Sequence, residues 1–312
     1  MMAQKHYNEI DFMRSILIML VILVHIVNFG NLYPSLKAGI LSFMMPAFLF
    51  ITGYLVNINK NFRQFGLYII QILLPYLVMT VGYMWLSMYL PVRDGIKNMD
   101  LPTIYRVVFV TSIGPYWFLH AMIVCGIIYY ISFHISHKLS TIAKLSLCAG
   151  IMIIVSLYTP FLSISVAAYY FMGVCVRSLA KGFVLSRCAN LWTIIPFVLL
   201  IVNHDFWNWG TLSVLACVLC FISFTTEIYR HTKGKLKRSL DYVGRNTLPI
   251  YIFHPIFTMA AKFYLPLFNF DGTGILHSMV TVALGVLGSL ALAYFMDRLK
   301  LSYIFGKQKI LR

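Results

Sequence analysis

Apolar runs of membrane length recur along the whole chain, and no other feature restricts its folding so strongly. A helix crosses the hydrocarbon of a bilayer with about 20 mainly apolar residues. Ten such stretches can be marked, at about 12–31, 38–56, 65–90, 115–135, 143–159, 160–179, 190–204, 211–229, 247–268 and 275–296. The first, apolar from Ser15 to Phe29, has no small-residue cleavage site and is followed by further runs, so it reads as a span and not as a leader. The seventh is short, and Tyr158-Thr159-Pro160 leaves only a tight turn between the fifth and sixth. Of the 312 residues, 60% are apolar and 11% charged, against about a quarter charged in a soluble domain, and mean hydropathy is +0.82. The expectation is an all-α integral membrane protein of about ten transmembrane helices, forming a single membrane-embedded domain over 1–312.

The charge pattern gives that expectation a direction. A net charge of +16 in a soluble chain would suggest nucleic acid, but here the basic residues fall in the connections between apolar runs, so membrane lipid is the expected partner and nucleic acid is not. With the N-terminus inside, the cytoplasmic set is Lys5, Arg14, Lys60, Arg63, Lys138, Lys144, Arg177, Lys181, Arg187, Arg230, Lys233, Lys235, Lys237, Arg238, Arg245, Arg298, Lys300, Lys307, Lys309 and Arg312. The outer set is Lys37, Arg93, Lys97, Arg106 and Lys262. Basic residues concentrate in short cytoplasmic loops, and a split of 20 to 5 predicts both termini in the cytoplasm. The six cysteines lie within or beside the runs, where they read as small packing residues. No cluster of His, Cys, Asp and Glu has metal-ligand spacing, so no metal is expected.

Ionisable groups inside a span are costly and usually face a cavity or a partner. Arg14 and His25 are 11 residues apart, which on a helix places them within about 20° of one face and about 16 Å apart along the axis. Ser15 is the one non-apolar residue between them. Arg14, with Asp11 one turn earlier, suits an anchor snorkelling to the cytoplasmic interface or a ligand contact. His25 suits helix packing through a hydrogen bond, or catalysis: a neutral imidazole can take a proton from a hydroxyl or attack an acyl carbon.

These residues carry a family resemblance. Ile10-Asp11-Phe12-Met13-Arg14, followed by ten residues and His25, resembles the R-x10-H signature of the family 3 membrane acyltransferases, which O-acylate bacterial surface glycans. Met45-Pro46-Ala47-Phe48-Leu49-Phe50-Ile51-Thr52-Gly53-Tyr54-Leu55 is similar to that family's second-helix motif, with Thr52 keeping the hydroxyl where serine is common. Gly114-Pro115-Tyr116-Trp117-Phe118-Leu119 resembles its Trp-Phe-Leu motif, and Gly244-Arg245-Asn246-Thr247-Leu248-Pro249-Ile250-Tyr251-Ile252-Phe253-His254 its late glycine, asparagine, tyrosine and histidine block. The four motifs come in the family's order and span nearly the whole chain. Gln71 stands where the family tends to carry arginine before Pro75-Tyr76, which leaves Lys60 and Arg63 as substitutes for that basic contact.

The resemblance implies an O-acyltransferase, most simply an O-acetyltransferase, in the bacterial inner membrane, with no bound cofactor. It would take an acyl group from cytoplasmic acyl-CoA, acetyl-CoA above all, and pass it to a sugar hydroxyl of a cell-surface or lipid-linked polysaccharide. Arg14 would hold a CoA phosphate, with Lys60, Arg63, Arg245 and Asn246 as further donor contacts, and His25 would serve as general base or transient acyl carrier. The basic stretch from Arg230 to Arg245 reads as a loop that attracts the nucleotide or touches anionic lipid. Asn246 is equally suited to capping the ninth helix. Thr52, Trp117, Tyr251 and His254 are candidates for the cavity wall, and Trp117 also suits an interfacial belt. On the outer side His204 and Asp205, within Asn203-His204-Asp205-Phe206-Trp207-Asn208-Trp209, combine hydrogen-bonding and aromatic chemistry suited to an acceptor sugar. The alternative from another class is a transporter or flippase for a glycan or its precursor, since proline- and glycine-interrupted spans also mark transporters.

Overall fold

The computed structural model describes residues 7–89, 95–135, 138–180 and 188–312, which leaves Lys5, Arg93, Lys181 and Arg187 outside the described residues. Among those residues it contains no strand, and its α-helices are α1 (Asn8–His25), α2 (Val27–Leu32), α3 (Pro34–Leu55), α4 (Phe62–Ser87), α5 (Leu101–Arg106), α6 (Trp117–Ile135), α7 (Thr141–Tyr158), α8 (Ile164–Leu179), α9 (Ile194–Val202), α10 (Leu212–His231), α11 (Gly234–Arg245), α12 (Thr247–Tyr264) and α13 (Ile275–Arg298). Among the described residues, six helical segments are long and apolar enough to cross a membrane: Pro34–Leu55, Phe62–Ser87, Gly114–Ile135, Thr141–Tyr158, Leu212–His231 and Ile275–Arg298. Large apolar side chains lie exposed along several of them, Leu157, Leu212, Leu287 and Phe295 included. Water would not tolerate so broad an apolar surface, whereas lipid requires it, and the chain is a multi-pass membrane protein.

The other four expected spans fall short of that standard, each for a local reason. α1 carries Glu9, Asp11 and Arg14 among its 18 residues, and α12 carries His254, Pro255 and Lys262 among its 18. α8 has 16 residues. The expected seventh span is a 3₁₀ turn at Leu191–Thr193 followed by the nine residues of α9, about 18 Å of helix in all against a hydrocarbon core of about 30 Å. Two boundaries also move. The first run is not one helix: it breaks at Ile26, whose backbone is extended, and resumes as α2. Pro160 lies in the connection between α7 and α8, which starts only at Ile164 after the Ser163 cap.

The chain divides into two compact units. The first comprises Met1–Phe48, Lys181–Ser302 and Gln308–Arg312. Within it α1 packs against α10, α11, α12 and α13, and α12 and α13 form a pair whose antiparallel course is marked by Phe257 against Gly288 and, nearer the turn, by the hydroxyls of Tyr264 and Thr281, 2.8 Å apart. Phe43, Phe197, Phe221 and Phe224 fill a separate aromatic cluster with ring centroids as close as 4.9 Å. The stretch read as a basic loop is instead helical from Gly234: Lys237, Leu240, Asp241 and Gly244 recur at three- and four-residue intervals and form the less exposed side. That is a helical face, and α1 covers it.

The second unit comprises Leu49–Ala180 and Tyr303–Lys307. Its tightest crossing is between α3 and α8. A Cβ on Gly53 would run into the carbonyl of Tyr170, and one on Gly173 into the carbonyl of Phe50, so two glycines let the backbones meet as small residues do in membrane helix pairs. α4 begins with a capping box in which the Asn61 side chain accepts from the backbone of Gln64 at 2.9 Å, and the rings of Phe65 and Tyr130 stack at 3.8 Å. Substituting Gly173→Ala is expected to lower stability by about 1–3 kcal/mol through overpacking, seen as a lower Tm in detergent. Gly150→Ala, where a Cβ meets nothing within 4 Å, should leave Tm unchanged or slightly raised.

Candidate functional site

The first unit brings α1 and α12 together at two levels. Near their starts, the Arg14 guanidinium donates from Nη2 to the hydroxyl of Thr247, the first residue of α12, while Nη1 lies 3.5 Å from the Asp11 carboxylate. Eleven residues later His25 ends α1, and its ring meets that of His254 edge to face, with centroids 5.2 Å apart. Because residues early in both helices meet, and so do residues further along, α1 and α12 run in the same direction. The approach near Arg14 is tightened by α11, where a Cβ on Gly244 would overlap the carbonyl of Asp11.

Each imidazole is oriented by its own helix. His25 Nδ1 is 2.7 Å from the Val21 carbonyl, and His254 Nδ1 is 2.9 Å from the Tyr251 carbonyl. A carbonyl can only accept, so each neutral ring carries its proton on Nδ1 and presents an unprotonated Nε2. That is the tautomer a general base or nucleophile needs. His254 is fully buried, and among the described residues its Nε2 has no hydrogen-bond partner. The Arg14 side chain keeps 23% exposure, enough for an anionic group to reach a guanidinium already aimed by two partners.

The remaining expected residues are placed as follows. Tyr251 is buried one turn before His254, with ring centroids 5.9 Å apart. Arg245 is exposed at the end of α11 and donates from Nε to the Asp241 carbonyl at 3.3 Å. Asn246 does not cap α12 through its side chain. It is fully buried and makes a reciprocal pair with the backbone of Arg312: its Oδ1 accepts from the Arg312 amide at 2.8 Å and its Nδ2 donates to the Arg312 carbonyl at 3.2 Å. A second Nδ2 bond, to the Tyr242 carbonyl at 2.9 Å, commits the amide to structure. His204 and Asp205 lie in an exposed 3₁₀ turn capped by Asn203. There the His204 ring stacks on Trp207 at 4.0 Å, and Trp207 donates to the Ile201 carbonyl at 2.8 Å, so one face of that indole is already covered.

Four candidates belong to the second unit. Thr52 is half-buried in α3 between Ile51 and the Gly53 crossing. Lys60 places its ammonium 4.5 Å from the Tyr68 ring centroid, and its carbonyl accepts from the Tyr130 hydroxyl at 3.0 Å. Arg63 is exposed in the first turn of α4. Trp117 is half-buried at the start of α6, after a 3₁₀ turn led by Gly114-Pro115.

Sequence reasoning gave no role to three groups that order the first unit. Thr247 was visible inside the late motif, but its pairing with Arg14 spans 233 positions. His277 is buried in α13, with Nε2 3.2 Å from the Ala261 carbonyl. Asp297 holds the chain end, accepting from the amides of Ile310 at 2.7 Å and Leu311 at 3.0 Å.

A many-helix membrane protein with a half-buried arginine and imidazole on one helical face is the class that fold and site define. The comparison with protein families makes this specific: the model described as an acyltransferase domain, of the family 3 acyltransferases, matches residues 7–298, and the chain belongs to that family. No curated protein and no solved structure matches it. Asn246→Ala should cost about 1–3 kcal/mol, because it leaves the buried Arg312 backbone groups without partners. The expected sign is faster proteolytic removal of an epitope placed after residue 312, with Asn246→Asp intermediate because it keeps the acceptor and loses the donor.

Proposed function

We propose that this acyltransferase moves an acyl group, most simply acetyl, from cytoplasmic acyl-CoA to a sugar hydroxyl of a lipid-linked or cell-surface polysaccharide at the bacterial inner membrane. The observation that carries the reading is the α1 face itself: an oriented guanidinium at one end and an imidazole with an unprotonated Nε2 at the other, on one helix and about 16 Å apart along its axis. An extended pantetheine arm has a comparable reach. Arg14 would bind a phosphate of the donor, as a guanidinium does bidentately, and the thioester would then reach His25.

In the transfer step His25 Nε2 takes the proton of the acceptor hydroxyl as its oxygen attacks the thioester carbonyl. The C–O bond forms, the C–S bond breaks, and the thiolate leaves and recovers the proton from the imidazolium. The same ring could instead carry the acyl group between donor and acceptor. The 20-to-5 distribution of basic residues supports this reading, since it would put Arg14 on the cytoplasmic side, where acyl-CoA is available. Exposed Arg245, with Lys235 and Arg238 on α11, would add positive potential around an incoming nucleotide.

The test is purified protein with radiolabelled acetyl-CoA, following CoA release and label on glycan. His25→Ala should lose at least about a hundredfold in rate, general-base loss typically costing 10²–10⁴. Arg14→Ala should mainly raise the KM for acetyl-CoA, and Thr247→Val should do so by a smaller factor because it disorients the same guanidinium. A wild-type protein that neither binds nor turns over acyl-CoA would sink this reading and turn attention to glycan transport, for which the break in the first span at Ile26 offers a structural motive.

A further inference from the structure

Two neutral imidazoles meet in the first unit, and the proposed transfer uses only one of them. In both rings Nδ1 is spent on a backbone carbonyl, so His25 and His254 each present an acceptor and neither can donate to the other. A buried acceptor left without a donor is costly, because the water it gave up is not replaced. His254 Nε2 is such an atom, fully enclosed and unpartnered, on a ring whose centroid is 5.2 Å from that of His25. Among the described residues none donates to it. The Tyr251 carbonyl holds Nδ1, and the Thr258 hydroxyl, one turn further along α12, donates to the Pro255 carbonyl at 3.2 Å.

We infer that His254 is a positioning residue whose Nε2 accepts a hydrogen bond from an O–H or N–H of the substrate beside the group that reacts at His25. The inference rests on the acyl-transfer reading and deepens it, because it specifies what the reactants must carry. Two acceptors side by side select a ligand with two donors. Either the acceptor sugar brings a second hydroxyl or amide N–H next to the hydroxyl it offers to His25, or the donor brings an amide N–H of its pantetheine arm. A substrate with a lone hydroxyl and no neighbouring donor would leave His254 Nε2 unsatisfied and be discriminated against, as sites built around polar groups reject analogues that lack them.

The experiment uses membrane vesicles containing the full chain, with radiolabelled acetyl-CoA as donor and the membranes' own glycan as acceptor, for wild type and three variants. His254→Asn retains a donor for the Tyr251 carbonyl and lacks Nε2. His254→Phe keeps a ring of similar shape with no acceptor. His254→Gln can place a carbonyl oxygen near the position of Nε2. Asn and Phe should each lose about ten- to a hundredfold in turnover, and Gln should recover at least about a third of the wild-type rate. An unchanged KM for acetyl-CoA in the Asn and Phe variants assigns the hydrogen bond to the acceptor sugar, whereas a KM raised about tenfold assigns it to the pantetheine amide. A Phe variant as fast as wild type, or a Gln variant no better than Asn, overturns the inference while leaving the role of His25 intact. Wild-type vesicles that release no CoA overturn the acyl-transfer reading and this inference with it.

Discussion

A guanidinium among apolar helices costs about 2.5–3.5 kcal/mol at mid-membrane unless acceptors meet it. In this chain the acceptors are the Asp11 carboxylate one turn earlier and the Thr247 hydroxyl from another helix. That pairing sets the order of the first unit. It brings the start of α12 to α1 and requires α11, which leads directly into α12, to lie close enough that Gly244 touches the Asp11 backbone. It also fixes how far along α12 the meeting with α1 continues, and so which residue of α12 reaches His25. The junction of two imidazoles is therefore coupled to the junction at Arg14 by the stiffness of two helices running in the same direction.

Much of this arrangement could be read from residue order. Hydropathy placed a helix at each of the ten marked stretches, and the 11-residue spacing of Arg14 and His25 holds because α1 is continuous between them. Other features left no local trace. Ile26 breaks the first run in a sequence of β-branched and apolar residues with no proline at the break, so composition there is the same for a straight span and a broken one. The Arg230 to Arg245 stretch looks like a loop by charge alone, and is helical because its few small and apolar residues fall on one side. Asn246 had the chemistry of a cap, but its partner is a backbone 66 positions away, and no motif reports a bond to a main chain.

The motifs themselves divide into chemistry and architecture. Gly53 in the second-helix motif and Gly244 in the late motif stand where a neighbouring backbone leaves no room for a Cβ. Their place is explained by contact alone. Buried Tyr54, with the Arg177 guanidinium 5.6 Å from its ring centroid, extends the same α3–α8 contact. Arg14, His25 and His254 are different. The Arg14 guanidinium is held by Asp11 and Thr247, each imidazole Nδ1 by a carbonyl of its own helix, and among the described residues none meets His254 Nε2; polar groups placed among apolar helices are retained at a cost that function explains.

The way the first unit is assembled from the chain bears on how the protein is made. α1 finds its packing partners in α10 to α13, beyond more than half of the sequence, and Arg14 finds its hydroxyl 233 residues later. α1 is thus translated long before the hydroxyl that meets its arginine and the imidazole that packs against its histidine. Until α12 arrives, Asp11 travels with Arg14 on its own helix. Maturation of the site is therefore a late, long-range event set by loop closure across the intervening helices.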